Sequence, residues 1–140
     1  MKNRTESEIQ VVYRISPPVT NEELHSLFVE AWEGHGLTDF RPILDRSLAF
    51  VCAYYETQLV GFVNVAWDGG IHAFILDTTV HRKFQRRGIG LNLVKQAETA
   101  ARAQGAEWLH VDFESHLKNF YDKCGFKNTS AGLKNLRKES

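Results

Sequence analysis

A short glycine-containing segment, Gln85-Arg86-Arg87-Gly88-Ile89-Gly90, is the part of the chain best suited to bind a ligand. It follows an apolar, β-branched run that ends at Val80 and precedes an amphipathic helical pattern. Glycine lets the backbone turn tightly and approach a ligand closely, and the unpaired N–H groups of a helix start attract phosphate. Four cations add positive charge around the segment: Arg82, Lys83, Arg86 and Arg87. The chemistry expected here is therefore the binding of a phosphate or pyrophosphate group.

Two common nucleotide-binding patterns do not fit this segment. A P-loop requires Gly-x-x-x-x-Gly-Lys-Ser/Thr, which the chain lacks. A dinucleotide-binding turn requires a third glycine, but Leu91, Asn92 and Leu93 follow Gly90. For the segment taken alone, a solvated basic turn before a helix remains the alternative.

Composition sets limits on the kind of protein. The 140 residues fit one domain, which we expect to cover residues 1–140 with a loose polar tail at 1–8. Lys+Arg and Asp+Glu each number 17, so the chain has no bulk charge for binding nucleic acid. Cys52 and Cys124 form no metal-ligand spacing and no disulfide framework. No signal peptide or membrane span is recognisable, so we expect a cytoplasmic protein without a metal or a membrane partner.

Hydrophobic periodicity predicts one mixed α/β domain. The predicted strands are 9–15, 47–55, 59–67, 71–80 and 108–113, followed by a weak hairpin of 126–129 and 133–136. The predicted helices are one capped by Thr20 that fades at Gly34, then 39–45, 88–104 and 117–124. The spacing of the first helix also places Trp32 on its buried face.

The helix 88–104 joins two strands, so strands 71–80 and 108–113 should be parallel. Strict alternation along 71–80 places Asp77 on the side opposite Val80. The other side would carry His72, Phe74, Leu76 and Thr78 together with Val80. On the following strand, His110 and Asp112 share one face.

Two motifs in the right order resemble a known family. Gln85–Gly90 matches the Gln/Arg-x-x-Gly-x-Gly/Ala signature of the GNAT superfamily of acyl-CoA-dependent N-acyltransferases. Residues 119–126, Asn-Phe-Tyr-Asp-Lys-Cys-Gly-Phe, resemble that family's Tyr-x-x-x-Gly-Phe segment. The predicted element order is also similar over about residues 9–136. The resemblance implies a GNAT-like fold: an antiparallel meander plus a parallel strand pair at the cofactor cleft, flanked by helices.

The resemblance implies acetyl-CoA as the cofactor, with CoA as product. Backbone groups of Thr78, Thr79 and Val80 would pair with the pantetheine arm. The pyrophosphate would lie against the loop residues Gln85, Arg86, Arg87, Gly88, Ile89, Gly90 and Leu91. The chain departs from the family at Arg82, where a proline is frequent, and at Glu114, where an asparagine often contacts CoA.

The same resemblance implies catalytic roles. Tyr121 stands at the position of the general acid that protonates the departing thiolate, a packed core tyrosine being the alternative. Asp112 and His110 are candidate bases, each with a solvated strand face as its alternative. The acceptor pocket would include Trp32 and His35, with Phe40 and Trp67 as further lining residues. Neither cysteine is placed as an acyl-carrying nucleophile.

The resulting hypothesis is an enzyme that transfers an acetyl group from acetyl-CoA to a primary amine by direct attack in a ternary complex. The alternative is a catalytically weak acyl-CoA-binding regulatory module. A small-molecule amine is the favoured substrate and a protein amine the other possibility. Nucleic acid is not an expected partner, and monomer and homodimer both stay open.

Overall fold

The computed structural model describes residues 10–36 and 38–137, so the predicted tail at 1–8 lies outside the described residues. One mixed sheet has the strand order β1-β2-β3-β4-β5. Its strands are β1 Val12–Ile15, β2 Ala49–Tyr55, β3 Gln58–Trp67, β4 His72–Val80 and β5 Trp108–His110. The helices are α1 Asn21–Ala31, α2 Arg41–Asp45, α3 Ile89–Ala103 and α4 Lys118–Lys123, with single 3-10 turns at Arg82–Phe84 and Ser115–Leu117. Strands β1 to β4 are antiparallel and β5 runs parallel to β4, which confirms the predicted fold class.

Helices cover the two faces of the sheet. On one face α3 packs through Leu93 and Ile89 against the sheet core. A Cβ at Gly61 of β3 would lie 3.0 Å from Leu93 Cδ1, so glycine there permits this close helix–sheet contact. On the other face, called here the α1 face, α1 and α2 cover Phe62 and Cys52. No helix in the described part of the chain has the length and apolar character needed to cross a membrane.

The first helix begins as its capping sequence predicts and ends earlier than its apolar spacing suggests. Thr20 and Glu23 form the reciprocal capping box. The helix ends at Ala31, and Trp32 caps it in an extended conformation. Trp32 is therefore 47% exposed, and its predicted place in the core is wrong.

Strand β4 contains a bulge that breaks the alternation of its side chains. Phe62 pairs with Thr79 and Asn64 pairs with Leu76, so two residues of β4, Asp77 and Thr78, oppose Val63 alone. Asp77 adopts a positive φ of 58°. Directly paired residues share a face, so Thr79 and Leu76 lie on the same side. The sequence alternation, which put Thr78 with Leu76 and Asp77 opposite to them, is therefore wrong beyond Leu76.

Strands β4 and β5 separate after a short pairing. Only His72, Ala73 and Phe74 pair with β5, through Trp108, Leu109 and His110. The predicted strand 108–113 ends at residue 110, so among the described residues β4 has no strand partner on the β5 side from Ile75 onward. Backbone donors and acceptors at such an opening are available to a ligand.

The predicted closing hairpin is absent from the described residues: neither 126–129 nor 133–136 is a strand. Leu133 and Leu136 are about nine-tenths exposed, at 89% and 90%. A strand needs a paired neighbour and a buried face, and an isolated two-stranded hairpin is marginal in water. Because β5 ends at His110 and most neighbouring residues are polar, this segment has neither.

Candidate active site

The start of α3 offers backbone N–H groups without a side-chain cap. Gly88 is the N-cap with φ 80°, and no side chain caps the helix there. Arg86, two residues earlier, also has a positive φ of 65°. The first intrahelical bond runs from Asn92 N to Gly88 O, 3.1 Å. The preceding N–H groups, together with the positive end of the helix dipole, can therefore bind an anion.

Side chains of the loop before α3 fix it to the end of β4. Gln85 Nε2 donates to the Val80 carbonyl oxygen, 3.2 Å. The buried His81 accepts at Nδ1 from Lys83 N, 3.1 Å. The Arg87 guanidinium lies 5.9 Å from the centroid of the Phe84 ring. The Gln85 side chain thus holds the loop on the strand, which is a different task from touching a ligand.

Glycine at residue 90 brings α4 against this loop. A Cβ at Gly90 would lie 3.2 Å from the Phe120 ring and 3.7 Å from Val80 Cγ2. Phe120 packs edge-on against Tyr121, with 4.8 Å between ring centroids. Phe120 therefore contacts both the loop at Gly90 and Tyr121, the residue predicted as general acid.

Tyr121 lies between the diverging ends of β4 and β5. It is only 6% exposed and stacks on Phe113, which follows β5, with centroids 4.8 Å apart. Burial raises the pKa of Tyr121, the Thr78 side chain on β4 opposes the rise, and the Asp112 charge adds to it. The phenol therefore stays protonated at neutral pH, as a proton donor must.

Asp77 is a candidate site residue that sequence alternation did not single out. It is exposed to solvent, yet protein atoms surround it enough for burial to raise its pKa, while the His35 imidazole opposes that rise. An accessible carboxyl group with a raised pKa is typical of a concave site. The bulge sets the direction of the Asp77 side chain, and hydrophobic periodicity along a strand does not indicate where a bulge occurs.

The predicted acceptor residues Trp32 and His35 both lie at this bulge. Trp32 Nε1 donates to Thr79 Oγ1, 3.0 Å, and that hydroxyl donates to the Asp77 carbonyl oxygen, 2.8 Å. His35 acts on the Asp77 charge, and its Nε2 is buried without a hydrogen-bond partner in the part of the chain that the structure describes. Phe40, 2% exposed, lies behind His35 in the core.

Trp67, the other predicted lining residue, faces elsewhere. It pairs with Ala73, while the α1 face at this end of the sheet carries Ala66 and its partner Phe74. The structure therefore brings Trp32 and His35 together with Asp77 and leaves Trp67 on the opposite face.

Asp112 and His110, the candidate bases from the sequence, are both exposed. His110 Nε2 lies 2.8 Å from His72 Nδ1, and its ring stacks on Phe74 with centroids 4.7 Å apart. His110 is thus engaged at the paired end of β5. Its partner Phe74 precedes Thr78 by roughly 13 Å of strand.

The two thiols are poor nucleophiles. Burial raises the pKa of Cys52 to about 12, and it also raises the pKa of Cys124. The reactive form of cysteine is the thiolate, which both environments disfavour. Neither thiol is therefore in an environment that favours an acyl-carrying nucleophile.

A mixed sheet that opens beside an uncapped helix start, with a buried phenol in the opening, fits the fold that the two sequence motifs imply. The chain belongs to the acetyltransferase (GNAT) family, whose model matches residues 18–126. This match confirms the resemblance seen in the two sequence motifs.

Curated relatives carry N-acetyltransferase names. The chain is 26% identical over 109 residues to the uncharacterized N-acetyltransferase ycf52 of Gracilaria tenuistipitata var. liui, which covers 75% of this chain and 60% of the relative. It is 31% identical over 81 residues to ycf52 of Porphyra purpurea, and this alignment covers 58% of this chain and 47% of the relative. The chain thus spans about half the length of the curated relatives it matches.

Solved structures share the fold over nearly the whole chain. A GNAT family acetyltransferase from Streptococcus pneumoniae TIGR4 is 25% identical, with a TM-score of 0.73, covering 91% of this chain and 99% of that one. Aminoglycoside N-acetyltransferase AAC(6')-Iy, solved in complex with CoA, has a TM-score of 0.74 at 19% identity and covers 90% and 93% of the two chains. The second likeness concerns the fold alone.

Proposed function

We propose that this chain transfers an acetyl group from acetyl-CoA to a primary amine by direct attack in a ternary complex. One observation carries the proposal: the opening between β4 and β5 connects the uncapped start of α3 with Tyr121, and Asp77 lies beside it at the bulge. A small-molecule amine is the favoured acceptor, and a protein amine is the other.

The residues present fit a CoA thioester. The N–H groups from Gly88 to Leu91 and the surrounding cations suit a pyrophosphate. The edge of β4 from Thr78 to Val80 has no strand partner on the β5 side among the described residues, which suits the amide groups of a pantetheine arm, although the Val80 carbonyl oxygen already accepts from Gln85. When bound, acetyl-CoA supplies an activated acyl carbon. AAC(6')-Iy, which shares the fold, has been solved with CoA.

The protein's own groups would move the protons. Asp77 accepts a proton from the acceptor ammonium, which leaves the nitrogen lone pair available to form the C–N bond. Tyr121 donates its phenol proton to sulfur as the C–S bond breaks, and it recovers a proton through water from the newly bonded nitrogen. Thr78 on β4 opposes the rise in the Tyr121 pKa. Asp112 and His110 stay candidate bases, to be compared with Asp77 by substitution.

The direct test is CoA thiol release with a panel of primary amines, combined with thermal-shift measurement of CoA binding. We expect Tyr121→Phe to lower turnover about a hundredfold and to keep CoA-dependent stabilisation. Tyr54→Phe is the control, because it removes a phenol hydroxyl from β2 on the α1 face. This variant should keep both the turnover and the CoA-dependent stabilisation.

The other outcomes have distinct meanings. Unchanged turnover in Tyr121→Phe would remove the acid role, and loss of CoA binding would make Tyr121 structural. Tight CoA binding by the unaltered protein without turnover of any amine would favour the acyl-CoA-binding module instead.

A further inference from the structure

Next to Asp77, the α1 face of β4 and β5 carries an exposed apolar strip. Phe74 is 37% exposed, Leu76 41% and Trp108 61%. Two histidines complete the strip: His72 of β4 and His110 of β5. Monomeric proteins seldom leave such a surface without a task.

Strand register places all five side chains on one face. Leu76 pairs with Asn64, Phe74 pairs with His110, and His72 pairs with Trp108. The ring centroids of Phe74 and His110 are 4.7 Å apart, and those of His110 and His72 are 5.0 Å apart. Phe74, His110 and His72 therefore form a continuous row of rings, with Leu76 and Trp108 on the same face beside them.

The strip begins at the proposed reaction centre. Leu76 directly precedes Asp77 and shares a face with Thr79, the residue that Trp32 contacts. Because α1 ends at Ala31, it leaves the β4–β5 half of this face uncovered. A molecule with one end at Asp77 would lay its other end on Leu76 and Phe74.

The charges beside the strip are acidic. Strands β4 and β5 contain no lysine or arginine, Asp77 lies in β4, and Glu107 and Asp112 flank β5 in the sequence. An ammonium group finds a carboxylate here. A phosphate or carboxylate on the acceptor would find no cation on these two strands.

We propose that the strip binds the apolar body of the acceptor, so the preferred substrate is a primary amine joined by a short chain to an aromatic ring. This inference rests on the proposed function and adds the class of acceptor to it. The Phe74 and His110 rings, which stack on each other, offer their edges to the aromatic group in an edge-to-face contact, Leu76 packs against the linker, and Asp77 meets the nitrogen. Phosphorylated or polyhydroxylated amines bind poorly.

The test is the affinity of the CoA-loaded protein for 2-phenylethylamine and for glucosamine 6-phosphate, measured by calorimetry. We expect 2-phenylethylamine to bind at least tenfold more tightly. Phe74→Ser and Leu76→Ser should each weaken its binding about tenfold while the Kd for CoA stays unchanged. Trp67→Ser is the matched control, because Trp67 is also 37% exposed but lies on the opposite face.

Each contrary result has its own meaning. Tighter binding of glucosamine 6-phosphate, or equal affinity in Phe74→Ser, overturns the inference. A variant that changes only the oligomeric state, seen by light scattering, shows instead that a second copy covers the strip. Strip-dependent binding of 2-phenylethylamine without acetylation keeps the inference and rejects the proposed catalysis.

Discussion

At the scale of single residues, one physical effect serves two opposite proposed tasks. Burial raises the pKa of Asp77 and the pKa of Tyr121. For a carboxylate, a higher pKa means a stronger base. For a phenol, a higher pKa means that the hydroxyl stays protonated at neutral pH and can donate its proton to the leaving group. Asp77 on β4 and Tyr121 on α4 would thus serve as base and acid through the same physical effect, burial by protein atoms.

Asp77→Asn should lower kcat/KM about a hundredfold, because the amide cannot accept the ammonium proton. In the unaltered protein, kcat/KM should rise with pH through the Asp77 pKa, which lies above the ordinary 3.8, and the variant should lose this limb. Pre-steady-state and steady-state thiol release over a pH series would measure both. A full effect in Asp112→Asn with little in Asp77→Asn would assign the base to Asp112.

The same substitution has a predictable effect on stability. The folded-state pKa of Asp77 is raised, so its favourable contribution is present below the unfolded pKa and is lost as pH rises through the folded pKa. At neutral pH, Asp77→Asn should therefore unfold at a higher urea concentration than the unaltered protein. Lost activity with greater stability would separate a functional role from a structural one.

Sequence reasoning located the candidate acid and missed the preferred base for a physical reason. Tyr121 belongs to a local motif on one short helix, whose geometry follows from neighbouring residues. The direction of Asp77 depends on a bulge, which arises from register with β3. The family resemblance and the shared face of His110 and Asp112 on the predicted strand 108–113 pointed to those two residues instead.

At the scale of elements, α3 is bounded by two glycines in the left-handed region. Gly88 has φ 80° at its start and Gly105 has φ 92° after its end. Alanine in this region costs about 1–2 kcal/mol at either position. Only Gly88 lies in the proposed pyrophosphate cradle.

Gly88→Ala and Gly105→Ala should therefore lower the free energy of unfolding by similar amounts, while only Gly88→Ala weakens CoA binding. Chemical denaturation and calorimetry with CoA measure the two effects. Equal CoA affinity in the two variants would contradict the proposed cradle.

Elements with local signals were predicted well and those that depend on distant pairing were not. The capping box at Thr20 formed as expected, because its hydrogen bonds join near neighbours. Strand β5 and the closing hairpin depend on partners far along the chain. The first is three residues long and the second does not form in the described residues.

At the scale of the whole molecule, charge is balanced overall and concentrated locally. Lys+Arg and Asp+Glu both number 17, yet four cations lie within residues 82–87. A local field of this kind attracts an anionic ligand without giving affinity for every polyanion.

Lys83→Gln should weaken CoA binding and reduce its dependence on salt, because one cation near the phosphates is removed. Lys134→Gln changes the net charge equally on an exposed segment and should have no effect. Titrations at low and high sodium chloride would show the difference. The same loss in both variants would mean that total charge, and not its position, governs binding.

The short pairing of β5 has a consequence for timing. Three residue pairs join β5 to β4, and Tyr121 beyond them is held by the rings of Phe113, Phe120 and Phe126. Segments held by few backbone bonds open at low free-energy cost. A ligand that binds between the separated strands would join them and restrict the motion of the Tyr121 phenol at the same time. Binding of the acyl donor and positioning of the proposed general acid would then be one event.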